Sequence, residues 1–189
     1  KELIEKFSLE NVGKSAGVFN GEKLLDLNAW YIRETSDEIL ADNVMPFLQR
    51  LGVENPDKEK LKKAVNTLKP RSKTLVDMAE SALFYFKDDL TYEEKGDKKF
   101  LKPNVLALLQ DLQGQLKKIT AFNQSNLEKT FVTFLEKREI KLGKVAQPIR
   151  VALTGKTASP GIFEVMEVLG QETVLKRLST VITHIRNKK

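Results

Sequence analysis

The sequence predicts an all-α protein, on three observations. Apolar residues recur at helical spacing in six separate stretches. Cap-forming residues stand ahead of these stretches, and glycine or proline follows several of them. One segment alone, Ile149-Arg150-Val151-Ala152-Leu153, alternates like a strand, and its position between helical stripes makes it helix as well.

Taken in order, Leu40, Val44, Phe47, Leu48 and Leu51 share one face, with Thr35 and Glu38 as a capping box ahead of them and Gly52 as a stop. Leu61, Ala64, Val65 and Leu68 form a shorter stripe on a helix that starts near Asp57 and ends at Pro70. Leu75, Met78, Ala79, Ala82 and Phe86 form the third. The span 87–102 is rich in Asp, Glu and Lys, with Thr91 and Glu94 as a capping pair inside it. It reads as a boundary or exposed connection between two helical layers. Val105, Leu108, Leu109, Leu112, Leu116 and Ile119 resume the pattern. Leu127, Phe131, Phe134 and Leu135 continue it behind the pair Ser125 and Glu128, with Gly143 as the stop. Ser159-Pro160 reads as an N-cap with proline at the first helical position, and Gly170 ends that helix. The last stripe is Val174, Leu175, Leu178, Val181, Ile182 and Ile185. Trp30 is expected in the core, and Pro148 and Pro160 are expected to shape turns.

The 189 residues allow one ordinary domain or two small ones, and 41% hydrophobic residues suffice for a buried core. Lys plus Arg outnumber Asp plus Glu by 32 to 26, a net charge of +6 that favours an anionic partner. With no cysteine, disulfides, thiolate zinc sites and cysteine nucleophiles are excluded. The single histidine, His184, sits between Ile182 and Ile185, a surface or groove position, and supports neither a metal set nor a catalytic triad. Gly13-Lys14-Ser15 carries the last letters of a phosphate-binding loop without its upstream glycine. The carboxylate pairs Glu93-Glu94 and Asp88-Asp89 lie in charged, solvated stretches. A binding module is therefore expected, and the absence of a signal peptide or long apolar run predicts a soluble, cytoplasmic chain without a membrane partner.

Several motifs carry a resemblance. The stretch Lys14-Ser15-Ala16-Gly17-Val18-Phe19-Asn20-Gly21-Glu22-Lys23-Leu24 is followed by Asn28 and by Trp30-Tyr31-Ile32-Arg33. Leu68-Lys69-Pro70-Arg71-Ser72-Lys73-Thr74-Leu75 reads as a turn into a helix closed by Tyr85-Phe86. The run from Leu142 to Gly155 precedes Ser159-Pro160-Gly161-Ile162-Phe163-Glu164, then Leu169-Gly170 and Arg177-Leu178. In order and spacing these resemble the anticodon-binding region of bacterial-type glutamyl-tRNA synthetases, along essentially the whole chain. The resemblance implies two packed helical subdomains, residues 36–95 and 96–189, after the end of a stem-contact region at residues 1–35. It implies the C-terminal part of a longer enzyme without its catalytic domain, a monomer whose partner is tRNA(Glu) rather than DNA. No cofactor is expected in this chain; the parent enzyme joins glutamate to tRNA with ATP and Mg2+. Asp26 departs from the family pattern, where many members carry an aromatic residue.

The resemblance implies that Gln147, Arg150, Ser159, Pro160 and Ile162 converge on the first two anticodon bases, with Ser159 and Ile162 standing where Thr and Leu are commoner. Pro160 and Ile162 could pack on a splayed base. It implies that Arg71 reads the third base, C in tRNA(Glu) and G in the glutamine tRNA. Lys23, Lys141 and Lys144 are expected on the RNA backbone, the last two within a cluster of Lys137, Arg138, Lys141, Lys144, Arg150 and Lys156. From the residues alone that cluster reads equally as a solvated face, and a basic helical scaffold or a DNA-binding helical protein stays open. With no phosphate loop or catalytic constellation, the purified chain is expected to show no ATP–pyrophosphate exchange with glutamate; any exchange by the intact, pure chain would overturn this.

Overall fold

Each stripe becomes a helix because only there can the chain bury its apolar face and satisfy its backbone together. The computed structural model describes residues 2–11, 13 and 17–188, and every regular element among them is helical. Lys14 and Ser15 of the phosphate-loop-like stretch lie outside the described residues. The helices are α1 (Glu2–Lys6), α2 (Gly21–Glu34), α3 (Asp37–Arg50), α4 (Lys58–Leu68), α5 (Leu75–Phe86) and α6 (Glu94–Phe100). They continue with α7 (Leu106–Leu116), α8 (Gln124–Glu136), α9 (Gly143–Thr154), α10 (Ile162–Leu169) and α11 (Gln171–Asn187). Among the described residues, none is long and apolar enough to cross a membrane.

The caps differ from expectation where several cap-forming residues crowd one turn. Ser36, not Thr35, caps α3, while the Thr35 hydroxyl donates back to Tyr31 O at 2.7 Å and closes α2. Glu93 precedes α6 in place of Thr91, and Asn123 caps α8 in place of Ser125, its side chain accepting from Asn126 N at 3.0 Å. Gly161, not Ser159, precedes α10, and Glu164 reaches back to accept its N–H at 3.1 Å. Pro160 therefore lies outside the helix. Gly143 opens α9 instead of ending α8, and the reversal after α8 passes through Glu139 at φ 52°. Pro148 sits inside α9 rather than in a turn.

Helices α3, α4 and α5 pack on one another, and α7 to α11 pack around α9 and α11. Contacts of α10 with α4 and of α9 with α5 join the two groups, and their buried residues form one continuous cluster. The connection at 87–102 is more anchored than its composition suggests. Leu101 and Gly96 are buried, Leu90 and Tyr92 pack on the core, and Glu93 N donates to Gly155 O at 2.8 Å. Gly155 has φ 74°, and a Cβ there would meet Thr91 O at 2.5 Å, so both conformation and space require glycine. Asp97 accepts from Lys188 Nζ at 2.5 Å and lies 2.8 Å from His184 Nε2, tying the end of α11 to α6. Burial would raise the Asp97 carboxyl, but these bonds hold it below the usual carboxylate range.

Trp30 is not in the core. It is 48% exposed, edge-on to Tyr31 at 5.0 Å, because only Ala29 and Ile32 of α2 are buried. The helix is tethered instead by polar bonds, Asn28 Nδ2 to Lys73 O at 2.6 Å and Lys73 Nζ to Asp26 at 2.7 Å. Asp26, the departure from the family's aromatic, is thus an ion-pair partner.

The most deeply buried charged group among the described residues is Arg177 of α11, 4% exposed. Its Nη1 donates to Leu153 O at 2.5 Å, and its Nη2 donates to Phe84 O and Lys87 O, each at 2.7 Å. Burial pushes the guanidinium down to about 10, with Asp88 and Tyr92 acting the other way, so it remains charged at neutral pH. The three carbonyls lie at the C-terminal ends of α5 and α9, where the helix dipoles favour a cation. Arg177→Met keeps most of the bulk and strands those carbonyls. Urea denaturation is expected to show a loss of about 3 kcal/mol or more, on the order of one unmet buried carbonyl each; an unchanged midpoint would remove Arg177 as a structural clamp.

Candidate functional site

One half of the site is the corner after α4. Pro70 cannot continue the helix, and residues 69–71 tighten into a single 3-10 turn. Lys69 pairs with Asp37 at 2.8 Å. Ser72 is buried and donates its hydroxyl back to Leu68 O at 3.0 Å instead of capping the next helix. That role falls to Thr74, whose side chain accepts from Asp77 N at 3.0 Å. These bonds hold Arg71 exposed at the end of a fixed turn. Beneath it, Tyr85 is fully buried with its hydroxyl 2.8 Å from Thr67 Oγ1, and burial pushes the phenol up.

The other half is α9 with the loop before α10. Arg150 is half-buried and its Nη1 donates to Ser159 O at 2.9 Å, to Ser159 Oγ, and to Pro160 O at 3.0 Å. The Ser159 hydroxyl donates to Pro160 O at 2.9 Å. Gln147 lies one turn earlier on the same side of α9. Two polar atoms here are buried without a partner, Gln147 Oε1 and Arg150 Nε. Buried polar atoms without a partner are costly in a finished fold, and these two lie one helical turn apart on α9.

The two halves meet. Burial lowers the Arg150 guanidinium, and the charge of Arg71 lowers it further, so the two arginines stand within electrostatic reach. Neither forms an ion pair with a carboxylate of the described residues. Contacts of α10 with α4 and of α9 with α5 hold this arrangement.

The structure brings Ser159 onto Arg150, whereas Pro160 and Ile162 are buried, Ile162 at 6% exposure. Their side chains support the loop from below, and what the loop presents outward is Ser159 and the exposed Gly161 backbone. Lys141 and Lys144 are exposed neighbours at the start of α9, with Lys144 N donating to Lys141 O at 3.0 Å. Lys23 is exposed on the first turn of α2, a helix that leans on the turn carrying Arg71, but no contact joins it to the other residues. Sequence reasoning missed Glu164 as the brace of Gly161. The signal was its place three residues on, the second half of a capping box.

Comparison with known proteins follows this geometry. The family model described as an anticodon binding domain matches residues 39–182. The glutamate–tRNA ligase of Geobacter sulfurreducens is 45% identical over 98% of this chain, and that of Syntrophobacter fumaroxidans 47% identical over 98%. The chain spans 40% of the length of each. Among solved structures, a glutamate tRNA ligase from Elizabethkingia meningosepticum, in complex with its amino acid, superposes with a TM-score of 0.88 at 27% identity. That match covers 97% of this chain and 36% of the other. A glutamate-tRNA synthetase from Elizabethkingia anophelis gives 0.82 at 26% identity, covering 96% and 35%.

Proposed function

This chain belongs to the anticodon-binding domain family, and from that premise, with its likeness to glutamate–tRNA ligases, we propose that it reads the anticodon of tRNA(Glu) for an enzyme that attaches glutamate to that tRNA with ATP and Mg2+. The observation that carries the reading is the pair Arg71 and Arg150. Two guanidiniums from different helical groups lie within electrostatic reach of one another, and neither is ion-paired to a carboxylate among the described residues. Unpaired donors beside the open acceptor of Gln147 suit the mixed edges of unstacked bases and the charge of the backbone between them. In this reading the groups at residues 36–95 and 96–189 act as two subdomains holding the anticodon between them. Lys23, Lys141 and Lys144 contact phosphates, and the protein works as a cytoplasmic monomer.

Arg71 has the specificity role. The pairing edge of C presents two acceptors, O2 and N3, to a guanidinium that has only donors in a planar fork. G at the same position presents an N–H donor and a larger ring, so the wrong tRNA meets both an unmade bond and a clash. The rigid corner around Pro70 and Ser72 fixes the backbone from which the fork extends.

Two substitutions test this. Arg71→Gln is expected to reduce the preference for tRNA(Glu) over the glutamine tRNA by roughly tenfold or more, about 1–3 kcal/mol for one base contact; equal losses for both tRNAs would leave Arg71 a phosphate contact only. Arg150→Ala is expected to weaken tRNA(Glu) binding by about 1–3 kcal/mol; unchanged affinity in a folded variant, at every salt concentration, would exclude it from the site.

A further inference from the structure

We propose that the groove between α7 and α8 is a second RNA site, one that holds the phosphodiester backbone rather than bases. The proposal rests on RNA being the ligand of the anticodon site and extends that contact to another face of the fold.

The groove is open, about 1040 Å3, and its walls are polar. Lys129, Thr133 and Lys137 recur every fourth residue along α8 and its C-cap, so they line one wall. Lys118, just beyond α7, lines the other side. All three lysines are exposed and none has a carboxylate partner. The groove's one carboxylate, Asp111, is already paired with Arg138, whose guanidinium also lies over the Phe134 ring at 5.1 Å. What remains is net positive charge and hydroxyl donors. No exposed aromatic ring offers a stacking platform, since Phe134 is 5% exposed beneath Arg138. That chemistry selects backbone over bases.

Gly114 is the second observation. It sits inside α7 on the groove wall, where glycine weakens a helix more than any residue but proline. Its backbone does not require glycine, since its φ is not positive, and a Cβ added there would meet nothing within 4 Å. Neither conformation nor packing accounts for it; the missing side chain keeps the groove wide. The groove also leads to the site. From Lys137 the chain runs through Arg138 to Lys141 and Lys144 at the head of α9, one turn before Gln147. Lys129 to Lys137 spans about 12 Å along the helix axis, long enough to follow successive phosphates of one strand.

The test measures binding of the 189-residue chain to tRNA(Glu) and glutamine tRNA transcripts across a KCl series. Lys129→Gln/Lys137→Gln should lower the slope of log affinity against log salt by about 1.5, the share of two phosphate contacts, with the preference between the tRNAs kept. A Cβ at Gly114 is unhindered and Gly114→Glu improves the helix, so its melting temperature should hold or rise while affinity falls roughly tenfold through the introduced charge. Wild-type slope and affinity in both variants would overturn the groove. If Arg150→Ala weakens binding while the groove variants do not, the anticodon reading stands and the groove fails. The reverse result retains the groove and rejects the anticodon reading, and failure of the unmodified chain to bind either transcript rejects both.

Discussion

A guanidinium taken out of water must find acceptors for its donors, or the fold bears several kcal/mol of unmet solvation. Arg177 meets that requirement at both terminal nitrogens, though not at Nε, with main-chain carbonyls instead of a carboxylate, and the choice has geometric consequences. A carboxylate on a flexible side chain can follow its partner, but a carbonyl at a helix end moves only with the helix. Two of the acceptors belong to the end of α5 and one to the end of α9, so the clamp gauges the distance between two helical groups. The loop that brings Glu93 against Gly155 is built around the same α9 terminus. If α9 were free to slide, Arg150 and Gln147 would slide with it, away from the corner that carries Arg71.

The site itself is electrostatically unfinished. The charge of Arg71 disfavours that of Arg150, and neither is ion-paired to a carboxylate among the described residues. Glu164, the acidic residue beside the loop, is engaged by the Gly161 N–H. Arg150 divides its work: one nitrogen, Nη1, shapes the Ser159-Pro160 loop, while Nε stays buried and open. In the proposed reading, such an arrangement trades some stability of the free protein for affinity toward an electron-rich partner.

The helices were legible because burial imposes a period of 3.6 on whatever lies between breakers, and Leu40 to Leu51 or Val174 to Ile185 show that period plainly. The caps were less so. Thr35 and Ser36 are equally able to cap, and only the tertiary path decides which takes the extended backbone. Pro148 resembled a turn because the local rule ignores that α9 is held by α11 and α10 as well as by its own ladder. The candidate site residues come from family motifs, and those motifs do not say which side chains face outward. Pro160 and Ile162 turned out to be buried supports. Arg177 stood on the same face as Val174, Leu178 and Val181, a charge in an apolar stripe, which was a readable sign of a buried clamp. Trp30 misled because its size suggests a core, whereas α2 has only a narrow face covered.

The exposure of Trp30 has an optical consequence. It is the chain's one tryptophan and it sits on α2, outside the packed helical groups. Intrinsic emission therefore reports on the surroundings of α2 and on little else. The two helical groups carry only tyrosines as interior fluorophores, Tyr85 and Tyr92, both in or beside the contact between them. Melting of the core would pass nearly unseen in the tryptophan band, while anything that settles on α2 would change its colour without disturbing a single helix.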